Sequence, residues 1–423
     1  MQAIFNNIKK YNSWGGESFD TGFKRNAYLQ KIIKFHGNKL IKVIVGQRRV
    51  GKSYLLRQIM SFLQEKENVN KKNIFYLNKE YLVFDEIKTA ADLNDIFEFY
   101  KKELNVEGKI YIFIDEIQGI KDWEKFVNSY SQDFTGEYEI FITGSNSNLL
   151  SGELATLLSG RYIEFEIFPF DLVEYAKYKN LAINKKTFLQ YIQGSGLPEM
   201  LNFEKEELKR HYVESLLNTI VLRDIIGRHN VKDVDLLNAV FKFVSLNIGN
   251  LTSLTNIVKY FKNLQKKTNY ETLSTYVNHL KNAFIIHEAE RYNLRGKQVL
   301  GGERKYYLND LSFKNLLFGF YPDDIGYNIE NYIYLQLKRM QYKVTVGILN
   351  NREIDFVAQK QDKTIYIQVA YLLVEQKTIE REFGNLLSIK DNYEKIVISL
   401  DDTHFSDYQG IKHLRPWELE KLL

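Results

Sequence analysis

The 423-residue chain contains no cysteine, so disulfide bridges and zinc–thiolate sites are excluded, and a reducing cytoplasm is the expected compartment. Proline is nearly as scarce. Its four positions, 169, 198, 322 and 416, are therefore useful punctuation. No stretch approaches eighteen uninterrupted apolar residues, so no transmembrane helix and no membrane partner are expected. The N-terminus has no basic region followed by a long apolar run, so no signal peptide is read there. No tract of low complexity and no internal repeat is seen. Neither charge sign dominates: the net charge of +5 permits nucleic-acid binding without demanding it. What is abundant is apolar and aromatic, at 44% and 14% of residues, enough for the cores of about three domains.

The most informative segment is Val43-Ile44-Val45-Gly46-Gln47-Arg48-Arg49-Val50-Gly51-Lys52-Ser53. An apolar run leads into Gly-x-x-x-x-Gly-Lys-Ser, and an amphipathic pattern, Tyr54 to Met60, follows at once. Strand, glycine loop and helix in that order are the context of a phosphate-binding loop. Gly46 and Gly51 allow backbone conformations in which several N–H groups converge on phosphate oxygens. The helix beyond aims its positive end at the same anion. Lys52 can reach the β- and γ-phosphates, and Ser53 offers a hydroxyl to Mg²⁺. Gln47, Arg48, Arg49, Val50 and Tyr54 complete the expected ATP-binding set. The two arginines are expected to brace the loop or meet a neighbouring subunit.

Ile110-Tyr111-Ile112-Phe113-Ile114 reads as a strand buried on both faces, and it ends in Asp115-Glu116. Carboxylates at such a strand end lie where α/β sheets bind ligands. Asp115 is expected to hold Mg²⁺, and Glu116 to polarise the attacking water. A further strand, Tyr138 to Ile142, ends in Thr143-Gly144-Ser145-Asn146. Thr143, Ser145 and Asn146 are all candidates to sense the γ-phosphate, and the sequence does not choose among them. Arg161 can act as a catalytic finger, in cis or across a subunit interface, or can pair with a carboxylate such as Glu116 or Glu153.

Residues 1–169 alternate strand and helix and form the expected ATPase core, with a parallel sheet. Residues 170–232 are helical, broken by Gly194-Ser195-Gly196-Leu197-Pro198, and are expected to form a lid. Residues 233–310 read as three helices and a basic hairpin, the pattern of a winged helix-turn-helix. That pattern suits either DNA contact or protein packing. Residues 311–423 return to α/β, with a helix over Glu330–Leu337 and four strands.

The order of parts resembles a family of prokaryotic AAA-type P-loop ATPases that carry an uncharacterised C-terminal domain. The residues that carry the resemblance are Gly46 to Ser53, Phe113-Ile114-Asp115-Glu116-Ile117-Gln118 and Thr143 to Ser147. Leu158-Ser159-Gly160-Arg161-Tyr162, Gly194 to Glu199 and Glu353-Ile354-Asp355-Phe356 match as well. The resemblance implies a P-loop NTPase core with a helical lid, a winged-helix domain and a C-terminal α/β domain similar to restriction endonucleases. Glu330 and Asp355 match the early acidic positions of such nucleases. The Glu-x-Lys position, however, reads Gln368-Val369-Ala370, which lacks both an anionic ligand and an amine. A degenerate nuclease fold, kept for binding or assembly, is therefore expected. Lys338, Arg339 and Lys343 are its candidate DNA contacts.

The reading is a Mg²⁺-dependent ATP hydrolase acting as a switch or motor, with a homo-oligomer or a protein as partner. The alternative is an ATP-licensed DNA-binding regulator or defence component. An active nuclease is the third reading, weakened by Gln368 and Ala370.

Overall fold

The structure is a computed structural model that describes residues 2–16, 20–150, 158, 160–229, 231–350, 352–401 and 408–422. The chain divides into two compact units, Met1–Ile167 and Phe168–Leu423. Among the described residues no helix is long and apolar enough to cross a membrane.

The first unit holds a five-stranded parallel sheet in the order β2-β3-β4-β1-β5. The strands are β1 (Ile41–Val45), β2 (Ile74–Asn78), β3 (Ile110–Asp115), β4 (Tyr138–Gly144) and β5 (Tyr162–Glu166). Every residue of β1, β2 and β3 is buried, as their continuous apolar runs require of strands covered on both faces. The helices that cover them are α1 (Gln2–Tyr11), α2 (Asn26–Ile33), α3 (Lys52–Glu65), α4 (Ala90–Glu103) and α5 (Trp123–Gln132). Because β4 lies between β1 and β3, the ends of three strands meet on one edge of the sheet.

The edge strand β2 is closed by side chains. Asn12 donates to Tyr76 O and accepts from Tyr76 N, at 2.9 and 2.8 Å, as a neighbouring strand would. Trp14 Nε1 donates to Ile74 O at 2.8 Å. This occupies backbone groups that an open edge would offer to another chain.

Near the starts of its inner strands β1 and β4 the sheet buries charge. Glu139 accepts from Lys42 Nζ at 2.7 Å, from Lys109 Nζ at 2.6 Å and from Gly37 N at 3.2 Å. Burial pushes the Lys42 amine down and the Glu139 ion pair opposes it, while the two lysines hold the buried Glu139 carboxyl below the usual range.

The second unit begins with α6 (Leu172–Lys179), α7 (Lys185–Gln193) and α8 (Glu206–Thr219), and α8 runs on into a π-helical turn, Ile220–Ile226. Next come α9 (Val234–Leu246), α10 (Leu254–Asn263) and α11 (Tyr270–Asn282), followed by the hairpin of β6 (Ile286–Asn293) and β7 (Gln298–Leu308). The C-terminal part adds α12 (Ser312–Phe318), α13 (Ile325–Arg339), β8 (Lys343–Leu349), β9 (Arg352–Lys360), β10 (Lys363–Val369), α14 (Gln376–Leu387), β11 (Glu394–Ile398) and β12 (Lys412–Leu414).

The boundary expected at 310/311 does not separate two sheets. The hairpin strands belong to one seven-stranded sheet in the order β12-β11-β10-β9-β8-β6-β7. Arg291, Tyr292 and Asn293 of β6 pair in parallel with Val346, Gly347 and Ile348 of β8. A lone hairpin is marginal in water, and β8 satisfies the edge that it would leave open. On the outer side, Thr252 and Arg304 exchange both backbone hydrogen bonds at 2.9 Å, which adds a one-residue strand between α9 and α10.

The Gly194–Pro198 break is held by Asp310. Its buried carboxylate accepts from Ser195 Oγ at 2.8 Å, Gly196 N at 2.7 Å and Ser312 N at 3.0 Å. A Cβ on Gly196 would stand 2.4 Å from Phe170 O, so only glycine allows that approach.

The Lys42–Glu139 pair makes one test of this core. Glu139→Ala strands a buried ammonium and is expected to cost on the order of 3–5 kcal/mol, read from urea unfolding. Combining Lys42→Met with Glu139→Leu is expected to recover most of that loss. A loss below about 1 kcal/mol for Glu139→Ala would show that water reaches the pair.

Candidate active site

The phosphate loop follows β1, on the edge where β3 and β4 also end. Gly46 (φ 148°), Arg49 (φ 66°) and Gly51 (φ 96°) all have positive φ. A Cβ on Gly46 would lie 2.3 Å from Ile167 O, so the loop can turn there only with glycine. Lys52 opens α3, and its ammonium donates to Gly46 O at 2.9 Å and Gln47 O at 3.1 Å. It also lies 3.3 Å from Glu116 Oε1. Arg48 pairs with Glu80, beyond β2, which fits a bracing role. Val50 and Gln47 are buried, and Tyr54 is exposed with the Arg57 guanidinium over its ring.

The loop is also braced from outside. Arg25 Nη1 donates to Val50 O at 3.0 Å. Gln58 of α3 accepts from Arg25 N at 3.1 Å and donates to Thr21 O and Phe23 O at 2.8 Å. Nothing in the sequence signalled this staple, because Arg25 and Gln58 belong to no motif and meet only in the fold.

Asp115 is fully buried at the end of β3. Its partner in register is Asn78, whose amide donates to Oδ2 at 2.9 Å. The hydroxyls of Thr143 and Ser53 bond the same carboxylate. Burial and the adjacent Glu116 charge push the Asp115 carboxyl up, against the pull of these hydroxyls and of Lys52. Glu116 sits in the left-handed region (φ 54°, ψ 49°), uncommon for a non-glycine residue and typical of functional sites. Its N–H donates to Thr143 Oγ1 at 2.9 Å. Burial pushes its carboxyl up, but Lys52, Arg48, Gln118 and Ser145 together hold it below the usual range.

Most of the residues predicted for this site therefore converge. Lys52, Ser53, Asp115, Glu116, Thr143 and Ser145 share one sheet edge. Thr143, Ser145 and Asn146 are all buried at the tip of β4, with Thr143 bonded to Asp115 and Glu116 and Ser145 bonded to Glu116. Ser53 and Asp115, two oxygen donors in contact with excess negative charge nearby, fit a Mg²⁺ ion that takes its other ligands from phosphate and water.

Arg161 does not join them. It precedes β5, whose first residue Tyr162 pairs with Ile41 at the start of β1. Five residues of strand, about 17 Å, separate that edge from the phosphate loop. The Arg161 guanidinium donates to Asn128 Oδ1 at 3.0 Å. A finger in cis and pairing with Glu116 are thus both corrected, because the residue stands at the wrong end of the sheet. Glu153, the other carboxylate considered for it, and Ser159 lie outside the described residues.

In the second unit Glu330 and Asp355 do come together, around a residue that the sequence reading passed over. Lys305 of β7 is buried with Nζ 2.8 Å from Glu330, 2.6 Å from Glu353 and 3.4 Å from Asp355. Tyr307 donates to Glu330 at 2.7 Å. Burial opposes the Lys305 charge, but the three carboxylates raise its pKa well above the usual range. Gln368 is turned elsewhere: it accepts from Asp355 N at 2.8 Å and donates to Glu382 at 2.6 Å. Among the described residues no group of three or more acidic, His or Cys side chains is arranged to hold a metal ion. Arg339, expected as a DNA contact, instead donates to Pro169 O at 3.1 Å and lies over the Phe168 ring.

Comparison with known proteins agrees with this picture of the first unit. Residues 38–176 match an AAA domain, and residues 185–324 match a domain of unknown function. An uncharacterized protein of Haemophilus influenzae is 38% identical over 392 residues, covering 92% of this chain and 96% of that one. The chain belongs to the same family as that protein, and it carries an AAA domain of the P-loop type. A second member in likeness, the uncharacterized protein MJ1544 of Methanocaldococcus jannaschii, is 29% identical over 88% of this chain and 85% of its own length. Among solved structures, a Walker-type ATPase of Pyrococcus abyssi is similar over 70% of this chain and 95% of that one, at 16% identity and a TM-score of 0.49.

The Lys305 cluster gives a pH test. Burial pushes the Glu330 carboxyl from its ordinary 4.5 up to about 7, although Lys305 opposes the shift. The folded state therefore holds a proton that the unfolded chain releases between those values. The stability from Glu330 is full below about pH 4.5 and is lost as pH rises through about 7. The advantage of wild type over Glu330→Gln is expected to shrink between pH 5 and pH 8, by on the order of 3 kcal/mol at most. A difference that stays constant over that range would show that Glu330 remains ionised throughout.

Proposed function

We propose that this protein binds ATP with Mg²⁺ at the Gly46–Ser53 loop and hydrolyses it, and that turnover switches the state of its second unit. The observation that carries this reading is the meeting of Lys52, Ser53, Asp115 and Glu116 at one sheet edge, with Lys52 Nζ 3.3 Å from Glu116. In this reading the loop N–H groups and the positive end of α3 cradle the phosphates. Lys52 neutralises charge on the β- and γ-phosphates. Ser53 and Asp115 would hold Mg²⁺, which supplies Lewis-acid stabilisation of the phosphoryl oxygens. Glu116 orients the attacking water and takes its proton. Arg161 has no part in the site of its own subunit, though a role across an interface between copies remains compatible with its exposed position.

The order helix, Thr252 strand, helix, helix and hairpin in residues 234–308 supports a winged-helix reading of that segment. The C-terminal part is read as a nuclease-like fold that does not cut. Lys305 already pairs with the carboxylates that a divalent cation would need, and Gln368 and Ala370 supply neither ligand nor amine. DNA as a partner rests on the winged-helix reading and on Lys338 and the exposed Lys343, now that Arg339 is turned inward.

Lys52→Ala is expected to lose most nucleotide affinity, measured with a fluorescent ATP analogue. Glu116→Gln is expected to keep that affinity and slow phosphate release by about 100-fold or more. Equal turnover by wild type and Glu116→Gln would reject the hydrolysis reading. No cleavage of duplex or single-stranded DNA is expected with Mg²⁺ or Mn²⁺. Cleavage lost in Asp355→Ala but kept in Lys52→Ala would overturn the non-cutting reading. An ATPase rate raised by duplex DNA would favour a DNA machine over a protein-partner switch.

A further inference from the structure

Gln118 lies in the short 3-10 turn Ile117–Gly119, two residues past Glu116. Its side-chain amide donates to Glu116 Oε2, while Lys52 faces the other oxygen, Oε1. The same Nε2 lies 3.4 Å from Ser145 Oγ, just beyond β4. The amide orientation follows from chemistry, since a carboxylate can accept only from the NH₂ end. The carbonyl end, Oε1, is buried without a hydrogen-bond partner. It packs where a Cβ on Gly144 would stand, 2.8 Å away, so Gly144 makes room for this amide. A buried amide oxygen left unpaired is costly, and it persists where the other end of the group is needed.

These contacts divide the labour around Glu116. Thr143 pins its backbone N–H, and Gln118 holds one carboxylate oxygen. The second oxygen is left facing the phosphate loop. Ser145 bonds Glu116 directly and also touches the clamp, from the strand tip where a γ-phosphate sensor is expected.

We propose that Gln118 is a positioning residue for hydrolysis, which clamps Glu116 and couples it to Ser145, so that the γ-phosphate contact at β4 sets the orientation of the base. This role rests on the hydrolysis reading above. It explains how a triphosphate and a diphosphate can be told apart at the base itself: only the triphosphate carries the group that Ser145 meets, beside the Gln118–Glu116 pair.

The test compares kcat, KM for ATP, nucleotide affinity and thermal midpoint for wild type, Glu116→Gln, Gln118→Leu, Gln118→Asn, Ser145→Ala and the Gln118→Leu/Ser145→Ala double variant. Gln118→Leu is expected to lower kcat about 10-fold or more, with KM and affinity within about twofold of wild type. Gln118→Asn keeps the amide on a shorter arm and should fall between the two. Ser145→Ala should lose less than Gln118→Leu, and the double variant should be no slower than Gln118→Leu alone, as members of one unit behave. Should Gln118→Leu fail to fold, the same comparison is read from Gln118→Asn and Ser145→Ala. Wild-type turnover in the Gln118 variants, or losses that multiply in the double, would overturn the coupling. No difference between wild type and Glu116→Gln would remove the hydrolysis reading and this role with it. A clear difference there, with Gln118→Leu unaffected, would remove this role alone.

Discussion

Two adjacent carboxylates buried at the end of β3 dictate what surrounds them. A charge taken out of water must be paired, hydrogen-bonded or neutralised. Asp115 is met by Asn78, Thr143 and Ser53, and Glu116 by Lys52 and Gln118. The order of strands makes this set possible. With β2 beside β3, Asn78 falls in register with Asp115, and with β4 on the other side Thr143 reaches both acids. The inward-turned Lys52 belongs to the same balance. Its ammonium lies between the loop carbonyls and Glu116, where arriving phosphates would compete for it.

The same physics recurs twice away from that edge. Glu139 is held by Lys42 and Lys109, and Lys305 is held by Glu330, Glu353 and Asp355. The two clusters are opposite in composition. The first surrounds one carboxylate with amines, and the second surrounds one amine with carboxylates. In the second, burial pushes the Glu330 carboxyl up and the Asp355 charge adds to the push, against the pull of Lys305. Three carboxylates can share one site in this way, because an ammonium on a neighbouring strand supplies the counter-charge.

What the sequence disclosed follows from local signals. The glycine loop, the apolar strands and the Asp-Glu at a strand end each lie within about ten residues, and periodicity finds them. What it did not disclose depends on contacts between distant segments. Lys305 is 25 residues before Glu330 and looked like part of a basic hairpin. Arg161 carried a motif, but only the pairing of Tyr162 with Ile41 reveals which end of the sheet it occupies. Asn12 and Trp14 belong to no motif, yet they close the β2 edge. Gln118 was visible inside a family-like motif, and its meaning appears only when Ser145 arrives from another strand. The hairpin was found, but its membership in the C-terminal sheet was not, because strand order has no local signature.

Shared strand order also limits how far the pieces of the second unit can separate. Lid, hairpin and C-terminal part read as separate pieces in the sequence, which invites a mechanism in which they move independently. Within the unit they are tied at three places. Asp310, just past β7, holds the Ser195–Gly196 turn of the helical segment. Backbone pairing joins β6 to β8. Lys305 ties β7 to α13 and β9. Pulling the hairpin from the C-terminal sheet would strand the Lys305 cluster, at a cost on the order of 3–5 kcal/mol before the lost strand pairing is added. A ligand can shift an equilibrium only by its differential affinity for the two states, typically on the order of 1–3 kcal/mol of coupling. Opening the sheet therefore demands more than that coupling supplies.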